Sequence, residues 1–421
     1  MSADLIIKNI GKLVTMSGSS SPRVGREMNE IEILENAYVA VKEGKILEVG
    51  TGEDFTKLID ENTKIDDAKG LLVTPGLIDS HTHLVHGGSR ENEFAKKLNG
   101  VPYIEILKEG GGILSTVNST KKASHEDLYN KAKKSLDRML EFGVTTAEEK
   151  SGYGLELETE IKQLEVAHKL DDTHPVTLIH TFLGAHATPV EYKDNNQAYI
   201  KLLVDEMMPK IRELNLAEFC DVFCEEGVFS VEESEYILSK AKELGFKLKI
   251  HADEIVPIGG AELAAKLGCV SADHLMAASD KGLKDMASSG VIANILPGTS
   301  FNLNKQSANG RKMIDLNVPV SLSSDYNPGS CPSENLQFVM QLGCLNLKMT
   351  PNEVLTAVTI NAAHSIDRAS EIGSIEVGKK ADIAIFDAPN VEYLMYHFGI
   401  NHIDRVYKEG RLVVSNKQVV Y

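Results

Sequence analysis

Hydrophobic and polar positions alternate with a period of two near both ends of the chain, and the pattern changes between them. At the start, "LIIKNIGKLV" and "AYVAVKEGKILEVG" read as short strands, with "KEGK" separating two alternating runs as a hairpin turn would. Near the end, "GSIEVGKKADIAIFDA" and "VYKEGRLVV" repeat that style of strand, glycine turn and strand. "KEGKILEV" and "KEGRLVVS" echo each other over too few residues for a repeat and are read as two independent hairpins. Residues 1–70 and 373–421 are therefore expected to pair into one small β-sandwich domain.

Residues 71–372 instead alternate apolar strand-like runs with segments of helical period. The candidate strands are "LLVTPGLIDSHTHL", "GVTTAEEKS", "VTLIHTFLGAH", "FCDVFCEEG", "FKLKIHADE", "SADHL", "VIANILPG" and "VPVSLSSDYNPG". Helices such as "HEDLYNKAKKSLDRMLEFG" and "VEESEYILSKAKELG" fall between them, the second stopping at Gly245. Eight strands with intervening helices point to an α/β fold, a (β/α)8 TIM-like barrel, whose active sites lie at the C-terminal strand ends. A doubly wound open sheet is the alternative, weakened because no GxGxxG follows the first strand.

Composition narrows the classes of partner. Lys plus Arg total 44 against 61 Asp plus Glu, a formal net charge of -17. That field repels nucleic-acid backbones and anionic lipid, so neither nucleic acid nor membrane is an expected partner. Local arginines can still hold a small anion, because salt screens the global charge over roughly 8 Å. "MSADLIIKNIGKLVTM" lacks a signal-peptide core, and no apolar run approaches the ~20 residues of a membrane span, so a cytoplasmic protein is expected. The five cysteines fit reduced thiols. Cys220 and Cys224 would lie ~13 Å apart on a strand, too far to share an ion, and are assigned to packing.

Candidate chemistry collects at the strand ends. Side chains two apart on a strand point the same way, so His81 and His83 of "SHTHL" can converge on one ion while Thr82 points elsewhere. His86 has the wrong parity and is assigned to a surface or loop. "KLKIHADE" ends the fifth strand with His251 and Glu254, "SADHL" the sixth with His274, and "VSLSSDYNPG" the eighth with Asp325. Each histidine alone would be read as a hydrogen-bonded core residue. Together at strand ends they form an N/O ligand set suited to zinc or iron, with room for a water that the ion would activate.

"PGLIDSHTHL", "HADE" and "SSDYNPGS" resemble the amidohydrolase superfamily. "HTHLVHGGSR", "KSGYGL", "LGAHATP", "HADEI" and "DYNPGSCPS" resemble its branch that opens 4-imidazolone-5-propanoate to N-formimidoyl-L-glutamate in histidine degradation, and the resemblance spans nearly the whole chain. It implies metal ligation by His81, His83, His251 and Asp325. Glu254 matches the residue beside the attacking water, and Glu254, His274 and Asp325 are the catalytic candidates. Arg90, Tyr153 and His186 match substrate-binding positions, joined by Glu254 and by the loop residues Asn327, Gly329 and Ser330. A homodimer is allowed as the assembly.

Bland readings stand beside these. Arg90 could solvate a surface beside Glu91 and Glu93, Tyr153 could anchor a loop between glycines, His186 could cap a loop, and "NPGS" is first of all a turn. Glu254 has opposite parity to His251, so only a turning backbone brings it into the pocket. The fourth strand offers no lysine of the kind that bridges two metals in binuclear members, so one metal per chain, Zn(2+) or Fe(2+/3+), is expected. Two rival functions remain: a nucleobase-type deaminase of the same superfamily, which would have no need of Arg90, and a scaffold that has lost catalysis, which would have no use for a complete ligand set.

Overall fold

The computed structural model describes residues 2–18, 20–101, 105 and 111–421. The chain opens with β1 (Leu5–Val14), β2 (Ile33–Lys42), β3 (Lys45–Thr51), β4 (Lys64–Asp67) and β5 (Leu72–Pro75). Eight parallel strands follow: β6 (Leu77–Thr82), β7 (Val144–Lys150), β8 (Thr177–Ala185), β9 (Phe219–Cys224), β10 (Lys247–Ala252), β11 (Ser271–His274), β12 (Ile292–Ile295) and β13 (Val320–Leu322). The chain ends with β14 (Ile383–Phe386), β15 (Ile403–Lys408), β16 (Arg411–Ser415) and β17 (Gln418–Val419).

Strands β6 to β13 pair with their sequence neighbours, and a parallel bridge from Thr82 to Tyr326 brings the last strand back to the first. At that seam the Asp325 amide donates to the His81 carbonyl at 3.1 Å, and the His83 amide donates to the Tyr326 carbonyl at 2.8 Å. The result is a (β/α)8 barrel with helices packed outside. Helices His125–Glu141 and Val231–Glu243 both start on serine caps, Ser124 and Ser230, whose side chains accept from the third helical amide. The second ends as its sequence suggests, with Gly245 in the left-handed region at φ +84°.

The first and last segments form a separate nine-stranded sheet. Its β2–β3 and β15–β16 hairpins turn through Glu43-Gly44 and Glu409-Gly410, all four residues at positive φ, as two-residue hairpin turns that follow strand twist require. The two turns lie side by side: Ala381 donates to the Gly44 carbonyl at 2.8 Å and accepts from the Gly410 amide at 2.9 Å. β1 bends at Asn9, φ +53°, so that its first half pairs with β4 and its second with β5.

Alternation explains how this sheet docks. Ile383 and Ile385 enter the sheet's own core with Leu13 and Val73, whereas Ala384, Phe386, Val14 and Leu72 enter the core shared with the barrel. Each large apolar side chain so buried contributes about 1.5–3 kcal/mol.

Two strand assignments change. "LLVTPGLIDSHTHL" is two strands: Leu72–Pro75 belongs to the end sheet, and Leu77–Thr82 opens the barrel. Gly76 lies between them, and a side chain there would collide with Thr145. In "GSIEVGKKADIAIFDA" only Ile383–Phe386 is a strand, with a lone bridge from Lys380 to Lys45 before it.

Candidate active site

The C-terminal ends of the barrel strands surround a cavity of about 600 Å³. His83, His251, Glu254, His274 and Asp325 line it, with Arg90, Tyr153, His186, Asn327, Gly329 and Ser330. His81 lies beneath it, fully buried. Every candidate from the sequence is thus in or directly under one space.

Strand parity holds for the first pair. The His81 ring lies 5.3 Å from that of His83 and 4.7 Å from that of His251, centroid to centroid. Asp325 Oδ1 is 3.5 Å from His81 Nε2 and 3.6 Å from His83 Nε2. Ligand atoms of His81, His83 and His251 lie within 4.8 Å of one another, and those of His81, His274 and Asp325 do likewise. A tetrahedral ion with bonds of ~2.0–2.1 Å holds its ligand atoms ~3.4 Å apart. The His81 and His251 Nε2 atoms are buried without a hydrogen-bond partner. Orphaned buried polar atoms are uncommon, and these flank the point where an ion would satisfy both at once. The donor set therefore fits one divalent cation.

The backbone turns sharply to reach this arrangement. Asp253, His274, Leu275 and Asp325 all have positive φ, +49°, +75°, +59° and +55°. Such non-glycine conformations cost roughly 1–3 kcal/mol each and gather at functional sites. The turn at Asp253 is what swings Glu254, of opposite strand parity to His251, into the cavity. Its Oε2 lies 3.8 Å from His274 Nε2.

Burial decides the protonation of the aromatic donors. His186 is pushed down to about 3 by desolvation, with His251 adding to the effect, so it is neutral. Its Nδ1 is 3.0 Å from the Gly152 carbonyl and must carry the proton, which leaves Nε2 an acceptor. The ring stacks on His83 at 4.9 Å. Desolvation raises the buried Tyr153 hydroxyl above the ordinary tyrosine range, keeping it a donor.

Arg90 precedes helix Glu91–Leu98, and its Nε donates to Glu93 at 3.1 Å. Its side chain is only 11% exposed, so it is a cavity wall and not a solvated surface group. Gly329 packs directly on the guanidinium, and any side chain there would occupy the same space. Asn327 shapes that loop: its Oδ1 accepts from the Gly329 and Ser330 amides at 2.8 and 2.7 Å, and its Nδ2 donates to Ser330 Oγ at 2.8 Å.

His86 lies in the loop that follows β6, one of its two expected places, but not at the surface. It is buried, 3% exposed, with Nδ1 2.9 Å from the His83 carbonyl and its ring against Tyr153 and Tyr326. Parity lost its meaning because the chain leaves β6 after Thr82.

Beneath the histidines is a group that sequence reasoning passed over: Glu148, Lys150, Asp221, Lys249 and Asp273, all fully buried. A signal existed, since charged residues inside strands covered on both faces require partners. Glu148, Asp273 and His81 resemble a ligand cluster, but Lys150 and Lys249 reach Glu148 at 2.9 and 3.0 Å, so this is an ion-pair network. Phe223 and Lys305 also line the cavity without having been singled out. Cys220 and Cys224 are free, buried packing residues.

Residues 72–413 match the profile of the amidohydrolase family, and the chain belongs to that family. Among its curated relatives is the imidazolonepropionase of Alkaliphilus oremlandii (strain OhILAs), 61% identical over 424 residues and covering 100% of both chains. The imidazolonepropionase of Fusobacterium nucleatum subsp. nucleatum is 60% identical over 414 residues, 98% of this chain and 99% of its own. In fold, an adenosine deaminase from Xanthomonas campestris superposes with a TM-score of 0.74 at 17% identity, over 100% of this chain and 94% of that one.

Proposed function

We propose that this chain hydrolyses the cyclic amide of 4-imidazolone-5-propanoate, releasing N-formimidoyl-L-glutamate. The carrying observation is that His83, His251, Asp325 and Arg90 line one cavity with His81 directly beneath it, in a chain that matches imidazolonepropionases end to end.

His81, His83, His251 and Asp325 are the residues that would hold a single zinc or iron ion. When bound, such an ion lowers the pKa of water towards ~7 and polarises a carbonyl. The remaining steps belong to side chains. Glu254 takes the proton of the attacking water and returns it to the leaving ring nitrogen, with His274 oriented beside it. Arg90 offers a planar fork to the propanoate carboxylate, backed by Gly329. Tyr153 donates its hydroxyl to a polar substrate group, and the His186 Nε2 accepts from a ring N–H. Asn327 and Ser330 hold the loop that covers the substrate.

The test is incubation of the purified chain with enzymatically generated imidazolonepropionate, following loss of the ring chromophore. Turnover of a purine or pyrimidine amine, with the imidazolone untouched, would transfer the chain to the deaminase reading. Arg90→Ala is expected to reduce kcat/KM by about 2–4 kcal/mol, since it removes one half of a desolvated, charge-assisted contact. Unchanged kinetics with a lowered Tm would return Arg90 to a structural role.

Among the described residues no helix is long and apolar enough to cross a membrane; a cytoplasmic location is part of the proposed reading. A small-molecule substrate is the principal partner in this reading, and a homodimer is allowed as the assembly.

A further inference from the structure

We propose that Lys150 is a positioning residue for the metal site, its ammonium tying together the two carboxylates that hold the imidazoles of His81 and His251. The inference rests on the reading that those histidines are ligands. A continuous chain of contacts joins them. His81 Nδ1 is 2.6 Å from Asp273 Oδ2, which lies 3.6 Å from Lys150 Nζ. On the other side Lys150 Nζ is 2.8 Å from Asp221 Oδ2, which lies 3.0 Å from His251 Nδ1. Asp221 Oδ1 also accepts from the His251 amide at 3.2 Å, so ring and backbone of that residue are held by one carboxylate.

Two of the ammonium's donors go to Asp221 and to a further carboxylate, and Asp273 stands in ion-pair range at 3.6 Å. That further carboxylate is Glu148, with Oε1 at 2.9 Å. Glu148 is itself fixed, since Thr181 donates to Oε1 and Lys249 lies 3.0 Å from Oε2. Strand parity builds the arrangement: Glu148 and Lys150 share one face of β7 and point into the barrel. Burial works against the Lys150 charge, but Asp221, Glu148 and Asp273 outweigh it and hold the ammonium above the ordinary lysine range.

The consequence falls on the imidazoles. With a carboxylate at each Nδ1, the proton is kept there and Nε2 is turned towards the cavity as a lone pair. Without Lys150 the two carboxylates lose the group that lies between them, and with it the contact that fixes the orientation of each imidazole. The competing account is that Lys150 only neutralises charge for the sake of the fold.

The experiment measures zinc dissociation constants by chelator competition on the full-length chain, alongside thermal unfolding of the metal-free forms. Wild type comes first, and a wild-type chain that holds no zinc would overturn the ligand reading itself. Given binding, Lys150→Met is expected to weaken zinc affinity 10- to 100-fold, the range typical of lost outer-shell partners. Asp273→Asn should do likewise, and the double variant should lose little more than either alone, because both act through one chain of contacts. Unchanged zinc affinity in Lys150→Met with only a lowered metal-free Tm, or fully additive losses, would overturn the proposal. Should Lys150→Met fail to fold, Asp221→Asn and Asp273→Asn carry the same test while keeping the lysine and side-chain size. Coupled losses in that pair support the bridge, and additive ones overturn it.

Discussion

Replacing His81 with alanine is expected to abolish metal retention and hydrolysis together. His81 occupies the centre of the cluster, with ring contacts to His83, His251 and His274 and its Nε2 3.5 Å from Asp325. Its removal deletes a candidate nitrogen ligand and takes from Asp273 the ring 2.6 Å from its Oδ2, leaving it Ser271 and Lys150. A buried carboxylate oxygen that loses its closest partner adds desolvation cost to the lost bond. Elemental analysis after dialysis should find one ion per wild-type chain and far less than one in His81→Ala, with activity falling in proportion as residual metal is stripped. Full metal content in that variant would move the ion to other ligands. Two tightly held ions per wild-type chain would break the single-metal reading and implicate the Glu148–Asp273 region below.

Glu254→Gln separates binding from chemistry. Glutamine keeps the size and one acceptor oxygen but cannot take a proton, so metal content should stay near normal while kcat falls by ~100-fold or more. The expectation follows from position: Glu254 lines the cavity, is oriented by the turn at Asp253 and lies 3.8 Å from His274, but is absent from the compact ligand groups. KM should change less than kcat, because the interaction lost belongs to the transition state. Metal loss in Glu254→Gln would make it a ligand, and near-normal turnover would pass the base role to His274 or Asp325.

The order of eight strands was legible because burial on both faces leaves short apolar runs bounded by turn residues, whatever the partner. The candidate ligands His81 and His83 were legible for a local reason too: two-residue parity within "SHTHL" is a property of the strand itself. For Arg90, Tyr153, His186 and the 327–330 loop, by contrast, residue chemistry left bland readings open and family resemblance supplied the assignment. The structure brings them to one cavity, and their roles rest on the kinetics proposed above.

By itself, then, the sequence determined the alternation of strand and helix, the two hairpins at the ends, the stop of one helix at Gly245 and the candidate metal ligands, all of which depend on spacings of a few residues. Tertiary structure alone decided where Leu72–Pro75 pairs, since the run from Leu71 to Leu84 is apolar enough for either sheet until Gly76 meets Thr145. It also decided that His86 is buried, because strand parity ends where the chain leaves β6. Most of all it decided the pairing of Lys150 with Asp221 and Asp273. Those residues come from three strands, separated by 71 positions in one case, and no local pattern carries which buried charge will neutralise which. That choice is made when the barrel closes and water leaves, when each charge must find a partner or lose its proton.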